Sequence, residues 1–289
     1  FIMKKIGLFS VVMITVMSVD SLRSLPVSAT FGSKLIFFYF IAAICFLFPC
    51  ALASAELSAT VEEEGGIYAW VKKAFGAHIG FLAIWFQWLE NVIYYPMLLA
   101  TLASIIAGLV NPLYIDEPRY LFATICIVFA LLTYVNTKGM YFSAFFNNIC
   151  SIFGLILPLI LIIGLAIFWW HSGQTIQISF NLRHDILPSM DRESWAPLVG
   201  IMLSYGGIEI ATVHSKDIDR PQRTLPLAML FATLIIYTTM TLGSLAIAMV
   251  LPTHEISFTN GIMQAFKQFF DQYHLGHFLP LMAMMLIIG

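Results

Sequence analysis

Charge is what this sequence most lacks. Only 10% of its residues are Asp, Glu, Lys or Arg, against 60% hydrophobic, and mean hydropathy is +0.89. A water-soluble domain carries roughly 25% charged residues, so a soluble globular fold is excluded. Short runs of alternating polarity are missing too, which removes a transmembrane β-barrel. Cysteine is sparse. Cys45, Cys50, Cys126 and Cys150 lie in or at the ends of apolar segments, and no His or acidic neighbours complete a metal site around them. They read as small buried hydrophobes, with no metal or cofactor required. No H-E-x-x-H, no G-x-S-x-G and no Tyr-Asp with Gly-x-Gly-Asp pair occurs, so an intramembrane hydrolase lacks its machinery. Nothing calls for a nucleic-acid partner, and oligomeric state is left open.

What is present is apolar length. Eight runs are legible, at about 6–27, 35–55, 79–110, 120–136, 145–170, 196–214, 225–250 and 278–289. A bilayer core of ~30 Å takes about 20 helical residues. The runs predict an all-α polytopic membrane protein with one transmembrane domain over 1–289. Lys4-Lys5, the first run and Val27-Ser28-Ala29 have the outline of a cleaved signal, but Asp20 and Arg23 interrupt it and more spans follow. It is expected to remain as span one. The third run is long and contains Pro96, which predicts tilt or a kink. The last holds about 18 Å of helix, so the domain is expected to stop within span eight.

Loop charge gives the orientation. Lys4, Lys5, Lys72, Lys73, Lys138, Lys216, Arg220 and Arg223 fall on one set of span ends; Lys34, Arg119, Arg183, Arg192 and Lys267 fall on the other, mostly in longer loops. The bias predicts a cytoplasmic N-terminus in a multi-pass inner-membrane protein. Between spans two and three, "EEEGGIYAWVKKAFG" (62–76) predicts a sharp turn at Gly65-Gly66. An amphipathic helix follows, with Ile67, Trp70, Val71 and Phe75 on one face. It is either a connector on the lipid surface or a gate of the inner vestibule. Thr224 is the expected N-cap of span seven, with Pro226 in its first turn.

The scarce charges occur where lipid should be. Asp20 lies about 21 Å along span one from Ile6, and Arg23 about 25 Å. A charge near the bilayer centre costs at least roughly 2.5–3.5 kcal/mol. In an intact helix the i, i+3 spacing lets Asp20 and Arg23 pair; alternatively Arg23 snorkels outward, or Ser18 to Ser21 is an unwound turn facing a cavity. Span six carries Gly206-Gly207 at its middle, followed by Glu209, and runs oppositely to span one. Paired interruptions at corresponding positions point to an inverted-repeat transporter; the plainer alternative is close helix packing at the glycines. Span three adds "WFQWLENVIYYP", where Glu90 and Asn91 sit among Trp85, Trp88, Tyr94 and Tyr95. Aromatics beside polar groups at depth fit a solute cavity, or else Asn91 bonds between helices and Glu90 is buried in its neutral form. Glu56 is expected near water at the end of span two.

These stretches carry a family resemblance. "EEGGIYAWVKKAFG" (63–76), "SYGGIEIA" (204–211), "RPQRTLPLAM" (220–229) and "WFQWLENV" (85–92) resemble the amino acid–polyamine–organocation transporters, and within them the glutamate/γ-aminobutyrate antiporters. The resemblance implies a LeuT-like fold of about twelve helices, with inverted repeats and discontinuous helices one and six. It implies that a substrate carboxylate meets backbone amides over Ser18, Val19, Asp20, Ser21, Leu22 and Arg23. The amino group would meet carbonyls around Tyr205, Gly206, Gly207 and Ile208. Glu209 matches the glutamate of the family's aromatic-x-Gly-x-Glu motif. One departure is the absence of glycine from the span-one break, where a charged pair stands instead.

The candidate site thus comprises those two breaks with Glu90, Asn91 and Tyr94, and Asp20, Arg23, Glu90, Glu209 and Trp85 are candidates for coupling or gating. The expected function is secondary transport of an amino acid or its decarboxylated amine by exchange, with protons as a candidate coupling ion and no enzymatic chemistry. A proton symporter or a cationic amino acid/polyamine exchanger of the same fold is the alternative, and a channel or intramembrane enzyme the distant one.

Overall fold

Three of the eight apolar runs do not form full-length helices, and two of those carry the internal charges. The computed structural model describes residues 5–61, 65–115, 117–137, 140–181, 185–189, 191–210, 212–213 and 218–289. The acidic run at 62–64, Lys4, Lys138, Arg183, His214 and Lys216 therefore lie outside the described residues.

Helix α1 (Leu8–Val19) stops at Asp20, and α2 (Ser24–Ala29) resumes after a turn. Span two is α3 (Lys34–Ala42), a π-helical segment Ala43–Leu47 and α4 (Phe48–Thr60). α5 (Ile67–Phe75) is the expected amphipathic helix, and its end meets the long α6 (Ala77–Val110). α7 (Pro118–Asn136) is span four. Span five joins α8 (Met140–Cys150), a second π segment Ser151–Ile156 and α9 (Leu157–His171). Both π segments lie just before a proline, Pro49 and Pro158. A proline lacks the N–H that would close the preceding turn and crowds the carbonyl behind it; widening the turn by one residue relieves both.

α10 (Arg192–Ser204) begins span six and ends at the glycine pair. Asp191 caps it, accepting from the Ser194 N–H at 3.1 Å and from the Ser194 hydroxyl. Hydrogen bonds from Ser189 and Ser194 hold this exposed carboxyl down at about 2. α11 (Pro221–Val250) is span seven, and it starts three residues before the expected cap. Arg220, with left-handed backbone (φ 46°), is the cap residue, while Thr224 inside the helix donates to Asp219 O. Pro221 occupies the first turn, where its missing N–H costs nothing; Pro226 falls within the helix.

α12 (Gly261–Gln272) has no counterpart among the eight runs. It buries Ile262, Ala265, Phe266, Phe269 and Phe270 and exposes Lys267 and Asp271. A short 3₁₀ turn and α13 (Leu279–Ile288) complete the described chain.

Among the described residues, five helical stretches are long and apolar enough to cross a membrane: Lys34–Ser58, Ala77–Val110, Pro118–Asn136, Phe145–His171 and Pro221–Val250. α1, α10 and α13 are apolar but shorter. α11 is the centre of the packing, touching α1, α2, α4 and α9. α7 buries no residue and shows Phe122, Ile127 and Phe129 outward, as a lipid-facing helix does. The four cysteines are free thiols, but Cys45 and Cys126 lie on exposed helix faces rather than in the core. Glu56 is exposed near the end of α4, as expected.

Candidate functional site

The span-one break is built by short polar side chains that offer the backbone alternatives to the helix ladder. Asp20 has extended backbone (φ −73°, ψ 111°), although its N–H still reaches Val16 O. Ser21 O then accepts both the Ser24 N–H at 2.9 Å and the Ser24 hydroxyl at 2.7 Å, closing the turn that starts α2. Serines do here what glycine does elsewhere.

The span-six break uses glycine. After Ser204 the last turn tightens, with Tyr205 N–H bonded to Met202 O and Gly206 N–H to Leu203 O, both at 3.1 Å. Gly207 then takes φ +103°, a conformation costly for any residue with a Cβ. The two breaks touch. Ser18 Oγ is 2.8 Å from Thr15 O and 2.9 Å from Gly207 O, so its proton bridges spans one and six. A Cβ on Gly207 would stand 2.7 Å from the Ser18 carbonyl oxygen, which makes this a backbone-against-backbone approach. Val19, Tyr205 and Ile208 are buried at this contact, while Ser21, Leu22 and Gly206 are half-buried.

The charged residues are arranged otherwise than the sequence suggests. Asp20 is 3% exposed; its Oδ2 accepts from the Thr239 hydroxyl of α11, and its Oδ1 has no partner. Arg23 is half-buried, close to Tyr94, with its Nε unpartnered. No ion pair joins Asp20 and Arg23. The i, i+3 pairing requires an unbroken helix, and this one is interrupted between the two residues.

From α6, Gln87 Nε2 donates to Glu209 Oε1 at 3.4 Å. Glu90 Oε1 lies 3.8 Å from the Cβ position of Gly206, within electrostatic reach of Glu209. Asn91 bonds back to Gln87 O within its own helix, at 2.9 Å. The aromatic cluster of span three divides by face. Gln87, Asn91 and Tyr94 form the half-buried side, whereas Phe81, Trp85 and Trp88 stack on one another along the exposed side. Trp85 is 44% exposed and is not brought to the breaks.

Several contributors were not visible from the sequence. Thr239 supplies the one partner of Asp20. Tyr39 of α3 packs its ring 5.7 Å from that of Tyr205, and its hydroxyl joins Ser28 of α2 (2.8 Å) and Ser244 of α11 (3.3 Å). Gly66, at φ +52°, comes so close to Val213 that a Cβ would lie 2.9 Å from its Cγ2. The turn before α5 therefore closes on the end of the span-six break.

Beside this meeting of two interrupted helices stands a match along almost the whole sequence: the amino acid permease family model covers residues 6–289. The chain belongs to the amino acid permease family. An uncharacterized transporter of Legionella pneumophila is 36% identical over 288 residues, 99% of this chain and 61% of the relative. The glutamate/gamma-aminobutyrate antiporter of Lactococcus lactis is 28% identical over 292 residues, 99% of this chain and 58% of the antiporter. A third protein, also of Lactococcus lactis and named "Probable agmatine/putrescine antiporter", is 22% identical over 289 residues, covering 99% of this chain and 60% of its own. This permease sequence thus spans about three fifths of the length of these relatives. The family and its relatives are transporters, not enzymes. With five helices among the described residues long and apolar enough to cross a membrane, the permease is a membrane protein.

Proposed function

We propose that this permease is a secondary transporter that exchanges an amino acid for its decarboxylated amine, such as glutamate for γ-aminobutyrate, by alternating access. One observation supports the reading: the Ser18–Gly207 contact, where two interrupted helices from distant parts of the chain bring backbone groups against each other. An unsatisfied peptide group inside a bilayer is costly unless it lines a polar cavity, and paired broken helices are the hallmark of inverted-repeat carriers.

In this reading the fold is LeuT-like, with spans one to five repeated in inverted form and the N-terminus on the cytoplasmic side. Ser18 to Arg23 and Tyr205 to Ile208 bind the solute, and Glu90, Asn91 and Tyr94 line the same gap from α6. Arg23 and Tyr94 offer donors to a substrate carboxylate; Glu209, tethered by Gln87, and Glu90 face its ammonium group. Their position beside the span-six break gives them a gating role when that segment moves. Trp85 is left out of this set because it stacks outward with Phe81 and Trp88.

Counterflow in proteoliposomes tests the reading. Vesicles loaded with unlabelled glutamate or γ-aminobutyrate are expected to accumulate the labelled partner transiently, and empty vesicles are not. Equal entry into loaded and empty vesicles would indicate a channel, and chemical conversion of the solute an enzyme. A second reading has its own support: Glu90 and Glu209 outnumber Arg23 beside the breaks, which favours a cationic amine. Competition by agmatine or putrescine stronger than by glutamate would select it.

A further inference from the structure

We propose that Asp20 is a proton-carrying site, holding a proton while sealed between the two breaks and exchanging it with water when the gap opens, so that solute movement is coupled to proton movement. The inference rests on the transport reading and adds the coupling ion to it.

Burial comes first. Asp20 is 3% exposed, and no Lys, Arg or His forms an ion pair with it among the described residues. One oxygen shares a single hydrogen bond with the Thr239 hydroxyl, and the other has no partner. An ionised carboxylate has about four acceptor positions to fill. Left in an apolar interior without a cation, such a group takes up a proton rather than bear the desolvation cost. Its place adds to that cost. Asp20 caps the C-terminal end of α1, where the helix dipole is negative and repels a second negative charge.

The hydrogen-bond order gives an independent argument. The Thr239 hydroxyl has one proton and three oxygens within reach: Asp20 Oδ2, Ile235 O at 2.7 Å and Ile236 O at 3.2 Å. With a neutral acid every proton has a destination, as Asp20 Oδ2–H donates to Thr239 Oγ1 and Thr239 donates to Ile235 O. With a carboxylate, Thr239 must turn its only proton away from its own helix, and Asp20 Oδ1 stays bare in either case. The hydrogen-bond chain thus suits the neutral acid.

The other groups facing Asp20 leave the assignment intact. α3 brings Tyr39, whose hydroxyl is held by Ser28 and Ser244. The segment after α10 brings Tyr205, with Tyr237 of α11 beside it, and the Tyr205 hydroxyl is unpartnered. Arg23 begins α2 and turns to Tyr94 of α6. α8 meets α1 a distance away, where Asn148 donates to Ser10 at 2.9 Å. Glu90 and Glu209 neighbour each other across the gap, with Glu90 exposed. Among these only Arg23 is a cation, and it is not paired with Asp20. The step balances when the two passages of the exchange differ. Sealed with its proton, the acid crosses with one solute and gives that proton to water as the gap opens, leaving a carboxylate. The return passage carries the carboxylate against the ammonium group of the exchanged amine, and one proton is regained from water on the first side.

Difference infrared spectroscopy on the purified protein at neutral pH reads this directly and needs no solute. The protein is expected to show a protonated-carboxyl C=O band that is absent in Asp20→Asn and shifted in frequency in Thr239→Val, where the acid keeps its proton but loses its acceptor. Thr239→Val supplies the readout should Asp20→Asn fail to fold. Spectra unchanged by both substitutions would overturn the proposal. In proteoliposomes under a pH gradient, the proton-to-solute ratio is expected to fall from about one to zero in Asp20→Asn; a ratio unchanged from the parent protein would also overturn it. Absence of solute counterflow in the parent protein would instead defeat the transport reading, leaving the infrared result to stand by itself.

Discussion

Gly207→Ala should reduce solute exchange by about 100-fold or more while leaving the protein folded in the membrane. A 1 Å displacement of groups that position a substrate is enough for a loss of that order. Two effects act together at this residue. Its φ of +103° is a region that alanine enters only with strain. The added methyl would also lie 2.7 Å from the Ser18 carbonyl oxygen, a backbone atom that cannot rotate away. Something must shift, and what shifts is the spacing of the two breaks. Gly206→Ala is the internal control. Its methyl meets Leu203 O at 3.3 Å and its φ is not in the positive region, so most of the exchange rate should survive. The measurement is initial rate of counterflow at matched protein density. Equal rates for the two variants would show that the close approach at Gly207 is packing without functional weight.

The second large effect is expected at Thr239, which no sequence pattern marks. Thr239→Val removes the only partner of Asp20 and leaves both carboxyl oxygens unsatisfied in a buried setting. Leaving a buried polar group without a partner costs about 1–3 kcal/mol, or roughly 2–4 °C in melting midpoint for each kcal/mol in a chain of this size. Thr239→Ser keeps the hydroxyl and should restore the midpoint. A thermal-shift assay in detergent compares the three proteins. If valine and serine are equally stable, the Asp20–Thr239 bond is not holding span one against α11.

Much of this arrangement is written in the sequence, and the parts that are not fail for physical reasons. Apolar length locates the membrane helices because nothing else in a chain of such low charge produces runs of that size. The two interruptions are legible because Asp20 and Gly206-Gly207 contradict their surroundings. The ion pair is not, since its inference presumed the helical spacing that Asp20 itself terminates. Trp85 reads as a site residue only when residues 85–95 are taken as one cluster; separated by helical turn, 81, 85 and 88 fall on one face and 87, 91 and 94 on the other. α12 escapes because half its surface is polar, although Ile262, Ala265, Phe266, Phe269 and Phe270 hold the spacing of an amphipathic helix. Thr239 carries no signal, because a threonine in a membrane helix ordinarily bonds to its own backbone, as Thr233 and Thr238 do here.

The central claim is that the interruptions of spans one and six enclose the same solute. Ser21 and Gly206 are both half-buried, one in each break, and accept substitution without a positive φ. Cysteine placed singly at each, in a protein cleared of Cys45, Cys50, Cys126 and Cys150, can be labelled by a small thiol reagent with and without the exchanged solute. Protection of both positions by one solute, with the same concentration dependence, is the predicted result. Protection of one position alone, or of neither at saturating solute, would contradict it.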